Sequence, residues 1–464
     1  MPINNKPLYQ QQALETLTYV SLENETNFPT ITSNGSVPPV AYNKTARLVY
    51  DVSKSLTHSS PFGDNSSVDA FGRLRVSSPI TLFDSKSLHQ KSTLDYNEAL
   101  SGSATIGFVE GDSLVQYNTT NQNDYAIRQS NLRFNYQPGK SNLGLFSCLL
   151  SAETDVVKRV GFFQGASAAP YEPTDGAWFE MTQNGPYFVT KKTKGTSFTS
   201  STPQSAWSID KFDGTGPSGI NLDFTKAQII AMDYEWLGIG RQRFGFVING
   251  QLLYAHYVSH LNGLTAPYIS YPNQPVRYEL RQQGSTPGSM KQICASVINE
   301  GADQQPLGTL CTVNLSSTVS CATTGWTFVI GVRTNPSYPN TVSMLRTAEI
   351  LNTSTNADCM FKIFNYDVSF SNGSAPTWTN IPNSNLQYAV GNGTITLSGG
   401  HELKTGFVAG GQGSQSSSAE SELLGLNGRF GIHIDGTPQM IVIGARGITN
   451  SAAIYAAMNL IQLS

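Results

Sequence analysis

The chain has 464 residues and a formal net charge of −3, and charged residues make up only 13% of it, about half the ~25% of an ordinary soluble protein. A hydrophobic content of 39% is enough to build a core, so the composition excludes wholesale disorder. The lack of net positive charge disfavours nucleic-acid packaging or processing, because binding to phosphate backbones needs basic surface. Low charge with 42 glycines and 23 prolines is typical of β-sandwiches, jelly rolls and fibres.

The first 65 residues are polar, with scattered proline and glycine and a helical pattern only over 8–19. A segment of this kind has no core of its own and can order on a neighbouring subunit. We therefore predict an extended N-terminal arm, with a loose tail as the alternative. No secretory signal begins the chain and no run of about 18 apolar residues follows, so we expect no membrane partner.

Residues 66–304 alternate short apolar strands with turn signals, at intervals of about 8–15 residues. This pattern predicts a mostly β domain, a concanavalin-like or jelly-roll β-sandwich. The candidate strands are Leu132–Tyr136, Gly144–Leu150, Arg159–Gln164, Trp178–Thr182, Tyr187–Thr190, Gln228–Trp236, the two strands of a hairpin at 241–258, Val276–Leu280 and Ile293–Ile298. The basic run at 191–194 is predicted to lie in a solvated loop rather than a phosphate site.

The hairpin is the most specific local prediction. Asn249-Gly250 suits a type I′ turn, because both central residues of that turn need positive φ. A two-residue loop places Ile248 opposite Gln251, Phe246 opposite Leu253, Phe244 opposite Ala255 and Arg243 opposite His256. One face then carries Phe244, Phe246, Ile248, Leu253 and Tyr257, and the other carries Arg243, Val247, Leu252, Tyr254 and His256.

Two further regions complete the predicted domains. Residues 305–374 form a second β region with strands Gly308–Leu315, Thr327–Arg333, Ser343–Leu351 and Cys359–Phe370. In the last of these, Asn365, Asp367 and Ser369 face one way and Phe364, Tyr366, Val368 and Phe370 face the other. Residues 375–464 form a C-terminal β region, with a flexible Gly/Ser-rich loop at 410–422 and a strand at Gln439–Gly444.

Motifs that would indicate catalysis or metal binding are weak. Gly214 to Gly219 matches G-x-G-x-x-G, but Pro217 removes an amide and no helical pattern follows, so we predict a turn rather than a nucleotide loop. His256 and His260 share a strand side at ~13 Å apart, too far for one metal ion. Asp233 and Glu235 have the ~7 Å spacing of an inverting glycosidase pair, yet ion pairing with Arg241 or Arg243 is the favoured interpretation.

The five cysteines lie far apart and form no C-x-x-C pair, so neither a zinc site nor a redox motif is indicated. We expect Cys148 and Cys294 to act as small buried hydrophobic residues. A Cys311–Cys321 disulfide is the alternative for that pair. We assign no catalytic residue, cofactor or metal, and we name four candidate interaction residues, Trp236, Arg241, Arg243 and His256.

Several long phrases resemble a family of virion structural proteins of tailed phages and other large DNA viruses. They are DAFGRLRVS (69–77) with TLFD (81–84), RQSNLRFNYQPGKS (128–141), DKFDGTGPSG (210–219), LDFTKAQII (222–230), EWLGIGRQRFGFVINGQ (235–251) and KQICASVI (291–298). The resemblance covers roughly residues 65–300. It implies a component of the virus particle, made in the host cytoplasm and located in the virion.

The residues and the resemblance together predict a non-enzymatic structural protein that acts by self-association and by docking on other virion proteins. A homo-oligomer is expected because few charges protect the sheet edges from pairing, and analogy with virion fibres favours a trimer. The alternative is a receptor-binding tail fibre or tailspike whose exposed Tyr and Trp bind host surface glycans, with or without cleaving them.

Overall fold

The computed structural model describes residues 40–43, 48–51, 78–301, 308–411, 415–419 and 428–463. The chain divides into two compact units, Met1–Ser77 and Ser78–Ser464. In the first unit, β1 (Val40–Asn43) pairs antiparallel with β2 (Leu48–Asp51). The helical pattern at 8–19 and the DAFGRLRVS phrase lie outside the described residues. The predicted arm ends at residue 65, whereas the second compact unit begins at Ser78.

Fifteen antiparallel strands build a two-sheet sandwich at the start of the second unit. They are β3 (Pro79–Lys86), β4 (Tyr96–Leu100), β5 (Thr105–Val109), β6 (Leu114–Thr119), β7 (Tyr125–Ser130), β8 (Ser141–Leu149), β9 (Val156–Gly165), β10 (Pro173–Thr182), β11 (Gly185–Lys192), β12 (Phe198–Pro203), β13 (Gln228–Tyr234), β14 (Arg241–Ile248), β15 (Gln251–Ser259), β16 (Val276–Gln282) and β17 (Gly288–Glu300). Two short 3-10 helices interrupt them, Glu110–Asp112 and Gln204–Ala206.

Sheet 1 has seven strands in the order β12-β11-β10-β9-β16-β7-β4. Sheet 2 has eight strands, in the order β15-β14-β13-β8-β17-β6-β5 with β3 also paired to β17. The core between them is aromatic, and Phe146, Phe162 and Tyr278 are fully buried there with ring centroids 5.4–6.4 Å apart in edge-to-face contacts. Burying one such ring contributes about 1.5–3 kcal/mol. The predicted mostly β sandwich of the concanavalin or jelly-roll class is confirmed.

Twelve further strands form two more sheets in the second unit. They are β18 (Thr309–Asn314), β19 (Val319–Cys321), β20 (Trp326–Thr334), β21 (Val342–Asn352), β22 (Cys359–Ser371), β23 (Thr379–Asn380), β24 (Leu386–Val390), β25 (Thr396–Val408), β26 (Gln415–Ala419), β27 (Arg429–Phe430), β28 (Met440–Gly447) and β29 (Ala452–Leu463). Sheet 3 has the order β18-β29-β21-β26, with β19 on β29 and β27 on β21. Sheet 4 has the order β23-β24-β20-β25-β22-β28, and β20 also pairs with β28.

The predicted boundary at 374/375 does not separate two β regions, because strands from both sides of it share sheets 3 and 4. Strand β20 pairs with β28, β22 pairs with β25 and β28, and β21 pairs with β29. The Gly/Ser-rich stretch also contains strand β26, paired to β21, where the composition predicts a flexible loop. Backbone pairing with a long neighbouring strand stabilises a segment whose side chains alone do not favour a strand.

Most predicted strands are present, with shifted ends, but Leu132–Tyr136 is wrong. Strand β7 ends at Ser130, and residues 132–136 follow it without ladder pairing. Phe134 and Tyr136 are buried in the core, and the Tyr136 N–H donates to Asn273 Oδ1 at 2.8 Å. The apolar residues at 132–136 therefore mark a buried segment without regular secondary structure, not a strand. The described residues contain no helix long and apolar enough to cross a membrane.

The hairpin confirms the turn and corrects the register. Asn249 and Gly250 have φ values of 50° and 78°, as a type I′ turn requires. The pairs Ile248–Gln251 and Phe246–Leu253 are as predicted, but a β-bulge between Phe244 and Gly245 pairs Phe244 with His256 and Arg243 with Tyr257. Since the bulge adds one residue on β15, it sends His256 into the core and Tyr257 to the surface.

Bulges explain two more wrong predictions. In β22 the register to β25 shifts between Asn365 and Val368, and Tyr366 has a φ of 66°. Asn365 is fully buried while Asp367 and Ser369 are exposed, so the three do not share one face as predicted. In β17 the register to β8 shifts between Gln292 and Cys294, and Cys294 is exposed rather than buried. A period-2 pattern cannot anticipate an inserted residue, because one residue reverses every later side chain.

Candidate functional site

The hairpin residues named from the sequence do not form one site, because they face opposite sides of sheet 2. Arg243 lies on the outer face, where its Nε donates to Asp233 Oδ1 at 2.8 Å and its guanidinium lies 4.3 Å from the centre of the Tyr254 ring. The Tyr254 hydroxyl also donates to Asp233. Burial raises the pKa of Asp233, although Arg243 and Tyr254 both stabilise its charged form.

This network confirms the predicted ion pairing of Asp233, with Arg243 as its partner. Its two oxygens accept from Arg243 and Tyr254. Glu235 lies beyond the end of β13 and is exposed, and its Oε1 accepts from the Arg241 N–H at 3.4 Å. Arg241 is itself exposed.

His256 is a core residue. Its ring lies nearly parallel to those of Phe188 and Phe244, at 6.5 and 6.3 Å, and its Nδ1 accepts from the Ser208 N–H at 3.2 Å. Burial lowers the pKa of His256, so the neutral imidazole is favoured. Trp236 is half-buried and donates from Nε1 to the Ile269 carbonyl at 3.2 Å. Both residues therefore support the packing of the sandwich.

The remaining motifs have structural positions. The Gly214–Gly219 segment forms turns with no helix after it, as predicted, and Gly214 and Gly219 have φ values of 84° and 67°. Lys191 and Lys192 belong to β11 rather than to a loop, and Lys192 is buried with its Nζ donating to the Pro267 carbonyl at 2.8 Å.

All five cysteines are free thiols, so the alternative Cys311–Cys321 bond is absent. Across the described ranges, no group of three or more His, Cys, Asp or Glu residues could hold a metal ion.

A more concentrated polar arrangement lies on the outer face of sheet 1. The Cα partners of Arg159 are Glu180 on β10 and Glu279 on β16, so three charged residues form a ladder across adjacent strands. Arg159 donates from Nε to Glu180 and from Nη1 to Glu279, both at 2.6 Å. Glu279 is fully buried, and only compensating charge makes such a position tolerable.

Glu279 is the centre of that network. Arg277 bonds one of its oxygens at 2.6 Å, and Arg281 and Arg159 bond the other. Burial opposes ionisation, but Arg277, Arg159 and Arg281 together hold the pKa of Glu279 well below its usual range. Arg277 Nη2 also donates to the Tyr171 carbonyl at 2.6 Å, and Arg281 Nη2 donates to the Pro170 carbonyl at 2.8 Å.

A cleft opens beside this ladder, at the turn between β10 and β11. Its volume is about 250 Å³, and its lining includes Arg159, Glu180, Asn184, Tyr187 and Gln283. Glu180 Oε2 accepts from Arg159 and, at 3.2 Å, from Trp178 Nε1. These bonds use Nε and Nη1 of Arg159 and one oxygen of Glu180, which leaves a donor, Nη2, and an acceptor, Oε1, on the ion pair.

The other end of the same face is covered. Ile434 packs on Tyr125 and Ile127, and its backbone N–H donates to Asn97 Oδ1 at 2.9 Å. This contact lies on β4 and β7, which contribute no residue to the lining of the cleft. Sequence reasoning missed it because Arg159 and Glu180 lie in separate predicted strands, and only the pairing of β9 with β10 brings them together.

Comparison with known proteins gives a likeness of fold alone. No protein-family model matches the chain, and no curated protein matches it. Similar solved structures include a β-glucanase of Bacillus licheniformis, with 10% identity, a TM-score of 0.31, and coverage of 50% of this chain and 100% of that one. The carbohydrate recognition domain of Emp47p has 12% identity, a TM-score of 0.31, and coverage of 48% and 96%. A legume lectin-like domain from Entamoeba histolytica has 9% identity, a TM-score of 0.30, and coverage of 47% and 97%.

Proposed function

We propose that the chain is a non-enzymatic structural component of a virus particle, which self-associates and docks on other virion proteins. The observation that carries this proposal is the position of the family-like phrases. They form framework parts of the sandwich, namely the loop at 210–219, strand β13, the β14–β15 hairpin and strand β17. A protein selected for a scaffold role is expected to keep such framework segments.

The loop at 210–219 illustrates this framework role. Buried Asp210 accepts from the Phe212 N–H at 2.9 Å and from the Ser218 N–H at 2.8 Å. A Cβ atom on Gly216 would come within 2.0 Å of Asp210 Oδ1, so only glycine fits there. The phrase DKFDGTGPSG therefore encodes a closed turn around one carboxylate, and it supports a structural role for the segment.

Exposed apolar residues near one end of the hairpin support association. Leu237, Ile239 and Leu261 are 57%, 39% and 67% exposed. Ile239 precedes Arg241 by two residues, Leu261 follows Ser259 by two, and Arg241 and Ser259 are cross-strand partners, so these side chains belong to the same end of sheet 2. An apolar cluster in water favours contact with another protein. We assign it to contacts between copies of this chain, with a trimer as the preferred state.

Two measurements test the proposal. Mass spectrometry of purified particles of the encoding virus should detect the chain in a fixed ratio to the other virion proteins, and its absence from the particles would refute the role. Light scattering on the purified protein should give a trimer. The Leu237→Ser, Leu261→Ser double variant should shift it towards monomer, whereas Leu310→Ser, which alters another exposed leucine outside this sandwich, should not.

The cleft on sheet 1 favours a second candidate function, the binding of host surface glycans by a receptor-binding fibre or tailspike. The remaining donor of Arg159 and acceptor of Glu180 match the adjacent hydroxyls of a sugar ring, and Tyr187 supplies an aromatic surface beside them. Glu180 of this cleft is held in an ion pair with Arg159, which leaves Asp155 as the described lining carboxylate without an ion pair. Because glycoside cleavage generally needs two available carboxyl groups, we propose binding without cleavage.

A glycan array followed by calorimetry tests this second function. Binding of a neutral oligosaccharide should fall at least tenfold in Glu180→Gln and Tyr187→Ala and persist in Tyr257→Ala, a matched change of an exposed tyrosine on sheet 2. Absence of any binding on the array would eliminate this candidate and leave the structural proposal intact. Release of reducing sugar from capsule would contradict the non-enzymatic assignment.

A further inference from the structure

Arg429 is a buried cation without a described counter-charge. It lies on the two-residue strand β27, opposite Met344 of β21, and the residue is 5% exposed. Its Nε and Nη1 atoms are closed off from solvent and have no hydrogen-bond acceptor among the described residues. Within the described ranges no carboxylate forms an ion pair with it. The neighbouring buried residues of sheet 3 are apolar and include Met344 itself.

The other buried arginines of the described chain are compensated, which makes Arg429 distinct. Arg128 has Glu98 at 3.3 Å, and Arg277 and Arg281 share Glu279. Arg133 donates to the Asn273 carbonyl at 3.3 Å and lies in the field of Asp175. Each of these guanidinium groups therefore has at least one charged or hydrogen-bonding partner, although the Nε of Arg133 has none among the described residues.

Loss of a proton does not remove the charge of buried Arg429 at neutral pH. Desolvation lowers the pKa of Arg429 to about 10, which still leaves the side chain charged at neutral pH. Burying a charge without a partner is strongly unfavourable, so buried ions in proteins are paired or bind an ion. A bound anion would satisfy a guanidinium whose Nε and Nη1 groups meet no acceptor among the residues that the structure describes.

The surroundings contain further unsatisfied polar groups at the same strand junction. Ser343, whose cross-strand partner is Phe430, has an unpaired Oγ, and Gln439, which accepts from the Gly431 N–H through Oε1, has an unpaired Nε2. Thr334, whose N–H donates to the Gln439 carbonyl, has an unpaired Oγ1. Cross-strand partners share a sheet face, so Ser343 lies with Phe430 on the face opposite Arg429 and Met344, and the guanidinium itself carries the proposed site.

We propose that Arg429 anchors a buried site for a small oxyanion at the junction of β21 and β27. A tetrahedral oxyanion suits the site because its separate oxygens can accept from Nε and Nη1 at once. The bound anion stabilises the attachment of β27 to sheet 3, so its binding free energy adds to the stability of the fold.

Thermal unfolding with inorganic phosphate as the probe tests the site. The full-length protein is first dialysed free of phosphate and sulfate, and ionic strength is held constant with sodium chloride. Phosphate should raise Tm saturably by several degrees. The rise should vanish in Arg429→Met and remain in Arg346→Met, which removes the same charge from a partly exposed position on β21. An equal rise in Arg429→Met, or no rise in the wild type, overturns the proposal.

A second measurement covers the case in which Arg429→Met does not fold. Phosphorus NMR on the wild type should show broadening of the phosphate signal that grows with protein concentration. Arg429→Lys keeps the charge but loses the forked donors, so the broadening should weaken at least tenfold in that variant. Undiminished broadening in Arg429→Lys would place phosphate elsewhere and refute the site.

Discussion

Glu279 shows at the level of one residue how this low-charge chain uses the charges it has. Three guanidinium groups bond its carboxylate. Arg159 also pairs with Glu180 of β10, and Arg277 and Arg281 also donate to backbone carbonyls of the segment around Tyr171. The network fastens β9, β16 and the segment around Tyr171 to one another. The network stabilises the fold only while every charge in it is paired, because a buried pair that loses one partner leaves an uncompensated charge.

We therefore expect Glu279→Gln to destabilise the protein by about 3–5 kcal/mol, the usual cost of breaking a buried ion pair. Glu172→Gln is the matched control, because Glu172 also pairs with Arg281 but its side chain is 57% exposed. That change should cost at most about 1 kcal/mol. Urea unfolding at pH 7 measures both. Equal losses of unfolding free energy for the two substitutions would show that the buried network stabilises the fold no more than an exposed ion pair does.

The burial of His260 should make the stability of the protein depend on pH. His260 stacks on Tyr268 at 4.1 Å, lies edge-on to Phe198 and is 3.5 Å from Gln242 Oε1, and its burial lowers the pKa of the imidazole to about 4. The folded protein thus holds a neutral ring that the unfolded chain protonates near pH 6.5. The stabilising contribution is complete above that pH and is lost as the pH falls towards 4.

The free energy of unfolding should therefore decrease between pH 7 and pH 5, with His260 contributing up to about 1.4 kcal/mol per pH unit below 6.5. His260→Gln should reduce this slope. His401→Gln, at an exposed histidine, should leave it unchanged. Urea midpoints at the two pH values decide the matter, and identical slopes in wild type and His260→Gln would contradict the prediction.

At the level of elements, the β14–β15 hairpin combines a turn set by local sequence with a bulge set by packing. The turn requires positive φ at two successive residues, and Asn-Gly supplies it at low cost. The bulge inserts Ala255 into β15 and turns His256 towards Phe188 and Phe244. Nothing in the alternating pattern of the strand marks that position.

Gly250→Ala tests whether the backbone conformation of the turn, rather than crowding by neighbouring atoms, requires glycine at this position. A Cβ atom there meets no neighbour within 4 Å, but the φ of 78° is unfavourable for alanine. We expect Gly250→Ala to destabilise the protein by about 1 kcal/mol. Gly107→Ala is the control, because Gly107 is equally unobstructed and lacks positive φ. If chemical denaturation shows the same loss for both, the turn conformation is not the cause.

At the level of the whole molecule, two double-sheet bodies lie in one compact unit, and the segment around Ile434 packs on the outer face of sheet 1. That contact uses β4 and β7, which do not line the cleft at Arg159 and Glu180. The edge strand β15 of sheet 2 and the exposed Leu237 and Leu261 are the surfaces that assembly would cover.

Deleting residues 1–60 tests the predicted arm at this scale. We expect weaker self-association and weaker incorporation into particles, because a segment without its own core gains stability by lying on another surface. The far-UV spectrum should keep its β signature. Sedimentation and particle reconstitution measure the effect. Normal assembly of the shortened chain would show that the segment is merely a tail, and a wild-type protein that stays monomeric at micromolar concentration would refute association altogether.

The sequence by itself determined the β class, the two-sheet form, the Asn-Gly turn and the turn at Gly214–Gly219, because these follow from period-2 alternation and from residue-specific φ preferences. Only the tertiary structure decided which strands are neighbours. That decision placed Arg159 between Glu180 and Glu279, merged residues 305–374 and 375–464 into shared sheets, and inserted the bulges that bury His256 and Asn365. Strand order and bulges depend on contacts between residues far apart in the chain, and a local pattern does not contain them.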